Sequence, residues 1–319
     1  MDKPVSDEWE IVYGQDIPSL RYSFTCGDVG CAPIGDIVAI KAKPKNGKSL
    51  LATVISSVIL GAEFGNLKPT IEDTSVMYFD TEQNKANTAL VMERIYTLCG
   101  WKKPHPNRLH VYALRKMEHT QRLEYIKEKI RAHKPTAVVI DGIADIMSDF
   151  NDIKESSDII QDMMELSAEN DTVIFFILHT NKSDSSMKGH LGSFALQKCS
   201  DAFEVTKKGD TFNVTHTDTR NIQIKDFSFI MDSNGMPAPN DNKECSGSPD
   251  SKDMEIVEML EALGDIYTQE NSTSITRKEL TKLIKEKTNK NTKDVRKMIR
   301  TAVESSILEE QDGRLTLML

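Results

Sequence analysis

The chain has no long apolar run. Its longest, VIFFIL at 173–178, falls far short of the ~18 residues a membrane-spanning helix needs. The first ten residues, MDKPVSDEWE, contain no apolar stretch of the kind a secretory signal carries, so no membrane association and a cytoplasmic location are expected. Cysteine is sparse and unpaired in pattern: Cys26, Cys31, Cys99, Cys199 and Cys245 are odd in number and never form C-x-x-C. That argues against a disulfide framework or a zinc site and for reduced thiols. The seven histidines are not spaced as metal ligands. Aromatic residues make up only 6%. The net charge of -9 speaks against a uniformly basic nucleic-acid binder. Local basic patches remain open, because phosphate contacts respond to local field.

What is present is an ordinary soluble composition, 39% hydrophobic and 28% charged over 319 residues, enough for about two domains of ~150 residues. From residue 37 onward, short apolar segments alternate with helix-length ones. The pattern predicts strands over 37–42, 75–80, 109–114, 137–141 and 173–179, with helical spacing between them, as in Leu123, Ile126 and Ile130. Nearly continuous apolar strands joined by helices indicate an α/β fold with a mainly parallel central sheet flanked by helices. A short helix near 194–198 follows, then strands over 202–206, 211–215 and 227–231. The Lys208-Gly209-Asp210 turn makes the first two of these an antiparallel edge.

Residues 232–253, DSNGMPAPNDNKECSGSPDSKD, are nearly devoid of large apolar residues and read as a flexible linker. The expected organisation is an N-terminal arm (1–22), an α/β core (23–231), this linker, and a small C-terminal domain (254–319). In that last part Ile256, Met259, Leu260 and Leu263 form a helical stripe, and Thr276-Arg-Lys-Glu279 is a capping box for a second helix. Val295, Met298, Ile299, Ala302 and Val303 mark a third helix, and Asp312-Gly313 signals a closing hairpin. Three helices and a hairpin predict a winged helix-turn-helix.

The stretch IVAIKAKPKNGKSLLATVI, at 37–55, is a strand, a polar loop and a helix with Gly47-Lys48-Ser49 at the bend. A bound triphosphate needs converging backbone N–H groups, a helix N-terminus, a lysine and a magnesium-binding hydroxyl. Gly47, Lys48 and Ser49 meet that spacing, although Ala42 stands where the pattern G-x-x-x-x-G-K-[ST] has its first glycine. Lys43 and Lys45 either add positive potential at the mouth or stay solvated.

Asp141 ends the apolar strand TAVVID, where a magnesium-supporting carboxylate belongs; Asp-Gly is also a turn dipeptide. Glu82, after the strand SVMYFD, is placed to orient an attacking water, with a helix cap at Asp80 or Thr81 as the structural alternative. His179, Asn181 and Lys182 follow the last core strand, where polar groups can sense a γ-phosphate.

In this order GDIVAIKAKPKNGKS, FDTEQ, AVVIDGIADI and FILHTNKSDSSMKGHLGS resemble the Walker A, catalytic-glutamate, Walker B and sensor segments of the RecA-like ATPases. Above all they are similar to the RepA-type hexameric replicative helicases and related AAA-type ATPases of bacterial plasmids and mobile elements. The resemblance covers roughly 23–231. It implies ATP and Mg²⁺ as cofactors and nucleotide contact along Lys43, Pro44, Lys45, Asn46, Gly47, Lys48, Ser49 and Leu50. It further implies metal support from Ser49 and Asp141, Glu82 as catalytic base, and His179 as γ-phosphate sensor. Arg220, in HTDTRNIQIKDFSF, resembles an arginine finger offered to a neighbouring subunit, so the resemblance implies a homo-oligomer, a hexamer as in such families.

In that family the loop after the sensor strand faces a central channel, which points to single-stranded DNA near Lys182, Lys188 and His190. The segment 277–300 carries ten basic against three acidic residues. Lys293, Arg296, Lys297 and Arg300 lie opposite the apolar stripe, as duplex phosphate contacts would; a solvated helical face is the plain alternative. The expected function is a DNA-dependent ATPase, a ring-forming helicase or translocase in plasmid or mobile-element replication. The alternatives are a nucleotide-gated DNA-binding regulator without motor activity and an inactive scaffold.

Overall fold

The computed structural model describes residues 10–105, 107–180, 189–240, 274–288, 292–304, 308–311 and 314–317. It divides into two compact units, Met1–Glu244 and Cys245–Leu319. No helix among the described residues is long and apolar enough to cross a membrane.

The first unit is built on a nine-stranded sheet of order β12-β11-β10-β9-β3-β8-β7-β5-β6. Six neighbours, β9 (Asp201–Lys208), β3 (Ile37–Ala42), β8 (Val173–His179), β7 (Ala137–Asp141), β5 (Val76–Asp80) and β6 (Leu109–Ala113), run parallel. On the β9 side, β10 (Thr211–Thr219), β11 (Phe227–Met231) and β12 (Pro237–Pro239) continue antiparallel.

The central strands are apolar at almost every position because both faces are covered, and alternation divides each strand between two cores. On one face Val38, Ile40, Val76, Tyr78, Val139 and Phe175 pack with Leu51, Val54, Ile55 and Val58 of α1 (Lys48–Ile59) and with Val91 and Ile95 of α2 (Lys85–Leu98). On the other, Ile37, Ala39, Met77, Phe79, Val138 and Ile140 meet α3 (His119–His133), α4 (Ile153–Glu169) and α5 (Gly189–Lys198). Buried hydroxyls in α1 donate to carbonyls one turn back, Thr53 to Ser49, Ser56 to Ala52 and Ser57 to Thr53. This satisfies polar groups that have no water.

The expected core strands are present within a residue or two of their predicted ends, and the helix expected near 194–198 begins earlier, at Gly189. A small sheet of β1 (Tyr22–Cys26), β2 (Val29–Pro33) and β4 (Leu67–Pro69), of order β2-β1-β4, was not anticipated. The stretch read as a linker from 232 also begins differently. A turn in which Asp232 accepts from Asn234 and Met236 N–H leads into β12, which pairs with β11, so the sheet continues to Pro239. Residues 241–253 lie outside the described residues.

In the second unit, β13 (Ser274–Thr276) leads into α6 (Arg277–Thr288) and α7 (Thr292–Glu304). The strands β14 (Leu308–Gln311) and β15 (Arg314–Leu317) close a sheet of order β13-β15-β14. Ile275, Leu280, Ile284, Val295, Ile299, Ala302, Leu308 and Leu315 form its core. Thr276 Oγ1 accepts from Glu279 N–H, the N-cap half of the expected capping box, and the Thr276 hydroxyl donates to the Glu279 carboxylate. The stripe expected from Ile256 to Leu263 and the Asp312-Gly313 turn lie outside the described residues.

Candidate nucleotide and catalytic site

The parallel register sets four chain segments level at the carboxyl ends of the strands, the edge where open α/β sheets bind ligands. Ala42 stands beside His179, and Asp80 beside Asp141. Each of these four segments, leaving β3, β5, β7 and β8, carries one of the expected chemical groups.

Ala42 is the buried last residue of β3, and the left-handed residues of the following loop are Lys45 (φ 64°) and Gly47 (φ 89°), not Ala42. No glycine-only conformation is needed at 42, so the missing first glycine costs the loop nothing in backbone terms. Gly47 is required twice over. It caps α1 in a left-handed conformation, and a Cβ there would collide with the Phe212 ring. No side chain caps the helix, which leaves first-turn N–H groups of α1 for an anion. Lys45 is the strained member, a non-glycine left-handed residue costing roughly 1 kcal/mol or more. Lys43, Pro44 and Lys45 are exposed, Asn46 N–H closes a turn onto Lys43 O at 3.3 Å, and Leu50 is half-buried.

Lys48 is buried, with Nζ 3.3 Å from Ala42 O and 2.9 Å from His179 Nδ1. Burial lowers its pKa, opposed by the charges of Glu82 and Asp141. His179 Nε2 lies 3.1 Å from Glu82 Oε1. An ammonium can only donate, so Nδ1 accepts and Nε2 carries the proton given to Glu82. That hydrogen bond is the main reason the Glu82 carboxyl sits below its ordinary pKa, with burial acting the other way.

The turn carrying Glu82 is clamped from below. Asp80, fully buried, accepts from Glu82 N–H at 3.1 Å, Gln83 N–H at 2.8 Å and Thr88 Oγ1 at 2.8 Å. The cap of α2 is Asn84, which accepts from Asn87 N–H; neither Asp80 nor Thr81 fills that place. Thr81 N–H and Oγ1 bond Asp141 O at 3.1 and 2.8 Å, joining the Glu82 turn to the end of β7. Gly142 has φ 102°, and a Cβ there would crowd Thr81, Asp145 and Glu82.

Asp141 is 5% exposed. Burial pushes its pKa up to about 6, against hydrogen bonds from Ser49 and Tyr78 that favour the charged form. A serine hydroxyl and a carboxylate near one another are hard oxygen donors suited to Mg²⁺. No group of three potential His, Cys, Asp or Glu ligands occurs among the described residues.

Beyond Glu82 and His179 opens a cavity of about 540 Å³ walled by Pro44, Asp145, Phe150, Thr180 and Leu191 among others. Asp145 accepts from Thr81 Oγ1 at 2.9 Å, and burial raises its pKa. Sequence reasoning missed Tyr78 and Asp145. Tyr78 sits in a run that reads as plain core, and Asp145 follows its strand by four residues with no spacing signal.

Arg220 is not brought to this edge. Its N–H bonds Ser200 O, whose own N–H bonds Ile37 O at the start of β3, so it lies at the opposite end of the sheet; its Nη2 donates to Lys198 O at 2.9 Å. His190 is exposed near the start of α5, and Arg296 and Arg300 are exposed on α7. Lys182 and Lys188, and the side chains of Lys293 and Lys297, lie outside the described residues.

The family model described as AAA domain matches residues 27–185. No curated protein matches the chain. Among solved structures, a KaiC-like protein of the hyperthermophilic archaeon Pyrococcus horikoshii OT3 is similar, with a TM-score of 0.48 and 15% sequence identity over 66% of this chain and 92% of that one. The family match runs from the turn after β1 past the end of β8 and so takes in the whole phosphate loop, Glu82, Asp141 and His179.

Proposed function

We propose that this chain is a DNA-interacting motor that assembles head to tail, hydrolysing ATP and passing the result to DNA. The observation that carries it is the unbroken hydrogen-bond chain from Lys48 through His179 to Glu82. It joins the group that meets the γ-phosphate to the group that handles water.

A γ-phosphate competes for the Lys48 ammonium. Once Lys48 turns to phosphate, His179 Nδ1 loses its donor and the ring is free to reorient, releasing the Glu82 oxygen it holds. Glu82 then accepts a proton from the water that attacks phosphorus in line. Ser49 and Asp141 would hold Mg²⁺, which when bound offsets charge on the phosphate oxygens. Hydrolysis reverses the sequence, and His179, at the end of β8, transmits the change to the segment that follows it.

Arg220 stands a strand's length from its own site, so a finger role requires a second copy. Head-to-tail packing that sets one sheet's amino edge against the next one's carboxyl edge satisfies this, and such contacts close into rings when the rotation allows. A winged-helix role for the second unit is supported by its strand–helix–helix–hairpin order and by the basic residues of 277–300. That same unit favours a second reading, a regulator whose DNA site is gated by nucleotide.

The deciding experiment measures ATP turnover with no DNA, with single strands and with duplex, alongside mass in solution with ATP and strand displacement. Stimulated turnover with unwinding or translocation supports the motor. ATP-dependent site binding without movement would leave the regulator, and absence of any nucleotide binding would remove both.

A further inference from the structure

Tyr78 is fully buried, with its ring among the apolar residues under α1. A phenylalanine would fill the same space without a polar atom. The hydroxyl instead lies 2.7 Å from Asp141 Oδ2, and the Ser49 side chain is within hydrogen-bond reach of both groups. The pairing follows from the fold. Strands β5 and β7 are parallel neighbours with Tyr78 level with Val139, and both face α1. Asp141, two residues after Val139, points to that same face, within reach of a long phenol side chain rising from the row below.

A buried carboxylate on a short side chain has two freedoms that matter for a metal, its rotation and the choice between one and two oxygens as ligands. The phenol removes both by engaging Oδ2 and leaving Oδ1. Ca²⁺ accepts bidentate carboxylates and irregular shells, whereas Mg²⁺ demands short, near-octahedral contacts and usually keeps several waters. An aspartate limited to one oxygen therefore favours the smaller ion. We infer that Tyr78 is a positioning residue that holds Asp141 in a one-oxygen orientation and so sets both the strength and the magnesium preference of the divalent-cation site. This rests on the reading of Ser49 and Asp141 as that site.

The test compares wild type with Tyr78→Phe in the full chain. Binding of a fluorescent ADP is measured in EDTA and in titrations of Mg²⁺ and Ca²⁺, and Mn²⁺ binding with ADP is followed by electron paramagnetic resonance. The expected result is a half-saturating Mg²⁺ concentration raised about tenfold, the scale for losing a group that orients a metal ligand. The Ca²⁺ value should move less, and nucleotide binding in EDTA should stay unchanged. A merely structural tyrosine would lower the melting temperature and leave the metal titrations where they were, and that outcome overturns the inference.

If Tyr78→Phe does not fold, the comparison moves to an Asp141→Asn background, where no buried charge is left behind. Adding Tyr78→Phe there should cost no further Mn²⁺ affinity, because the phenol acts only through Asp141; an additive loss overturns the inference. Should wild type show no dependence of nucleotide binding on a divalent ion, the site reading itself fails, which is a separate result.

Discussion

Two histidine–carboxylate pairs occupy opposite ends of the same sheet. At the carboxyl edge, His179 Nε2 bonds Glu82 at 3.1 Å with side chains 32% and 44% exposed; at the amino edge, His216 Nε2 bonds Asp201 at 2.9 Å with side chains 1% and 2% exposed. Both rings accept at Nδ1, but from different kinds of donor. His179 takes its bond from the side chain of Lys48, which a phosphate can draw away, and His216 from the backbone N–H of Ile224, which nothing can. Asp201 also accepts from Ala32 N–H and Thr219 Oγ1, and the His216 ring stacks on Phe203. On the proposed function, one pairing chemistry makes a movable relay where its partners are exchangeable and a permanent brace where they are buried and backbone-held.

Substitutions can break or sharpen this contrast. The largest effect is expected from Glu82→Gln, which should lower ATP turnover by roughly 10²–10⁴ while nucleotide binding and the melting temperature stay close to wild type. Unchanged turnover in a steady-state assay would dismiss Glu82 as the base. At the other edge, Asp201→Ala strands the buried His216 ring N–H, the buried Ala32 backbone N–H and the half-buried Thr219 hydroxyl. It should cost about 3 kcal/mol of unfolding free energy in a denaturant titration, with turnover per folded molecule retained. A stability-neutral Asp201→Ala would mean the amino edge is not a brace.

Asp141 adds a pH dependence. Its folded pKa, about 6 against an ordinary 3.8, is raised. Its contribution to stability is therefore full below about pH 4 and lost as pH rises through about 6, leaving a penalty of up to ~3 kcal/mol at neutral pH. Without metal and nucleotide, Asp141→Asn should melt higher than wild type at pH 7–8, with the gap closing toward pH 4. Calorimetry that finds no gap would place the charge in a better-solvated setting. The smallest effect is expected at Ala42→Gly, where nucleotide affinity should stay within about twofold and stability within ~1 kcal/mol. A large gain in affinity would show that the loop does need the glycine it lacks.

Much of this site was legible in the sequence. Lys48, Asp141 and His179 each end or follow a strand so apolar that its ends are unmistakable, and Glu82 follows another, so residue type and position together marked them as candidates. Other parts were not legible. The strands β1 and β2, in YSFTCGDVGCAP, are short and rich in small residues with no alternation to read. β12 lies in a Pro- and Gly-rich stretch whose strand character comes only from pairing with β11. Tyr78 looks like any core aromatic until its neighbour across the sheet is known.

By itself the sequence determined the local events: which segments are the apolar core strands, where the phosphate loop bends, which helix is capped by Thr276 and where charge accumulates. These depend on periodicity and on contacts a few residues apart. The tertiary structure alone decided which groups share an oxygen or a proton. The bond of Lys48 to His179 spans 131 residues, that of His179 to Glu82 spans 97, and that of Tyr78 to Asp141 spans 63. Such pairings are set by strand order and register, and strand order is fixed by how helices and sheet bury one another's apolar faces, which no local pattern encodes.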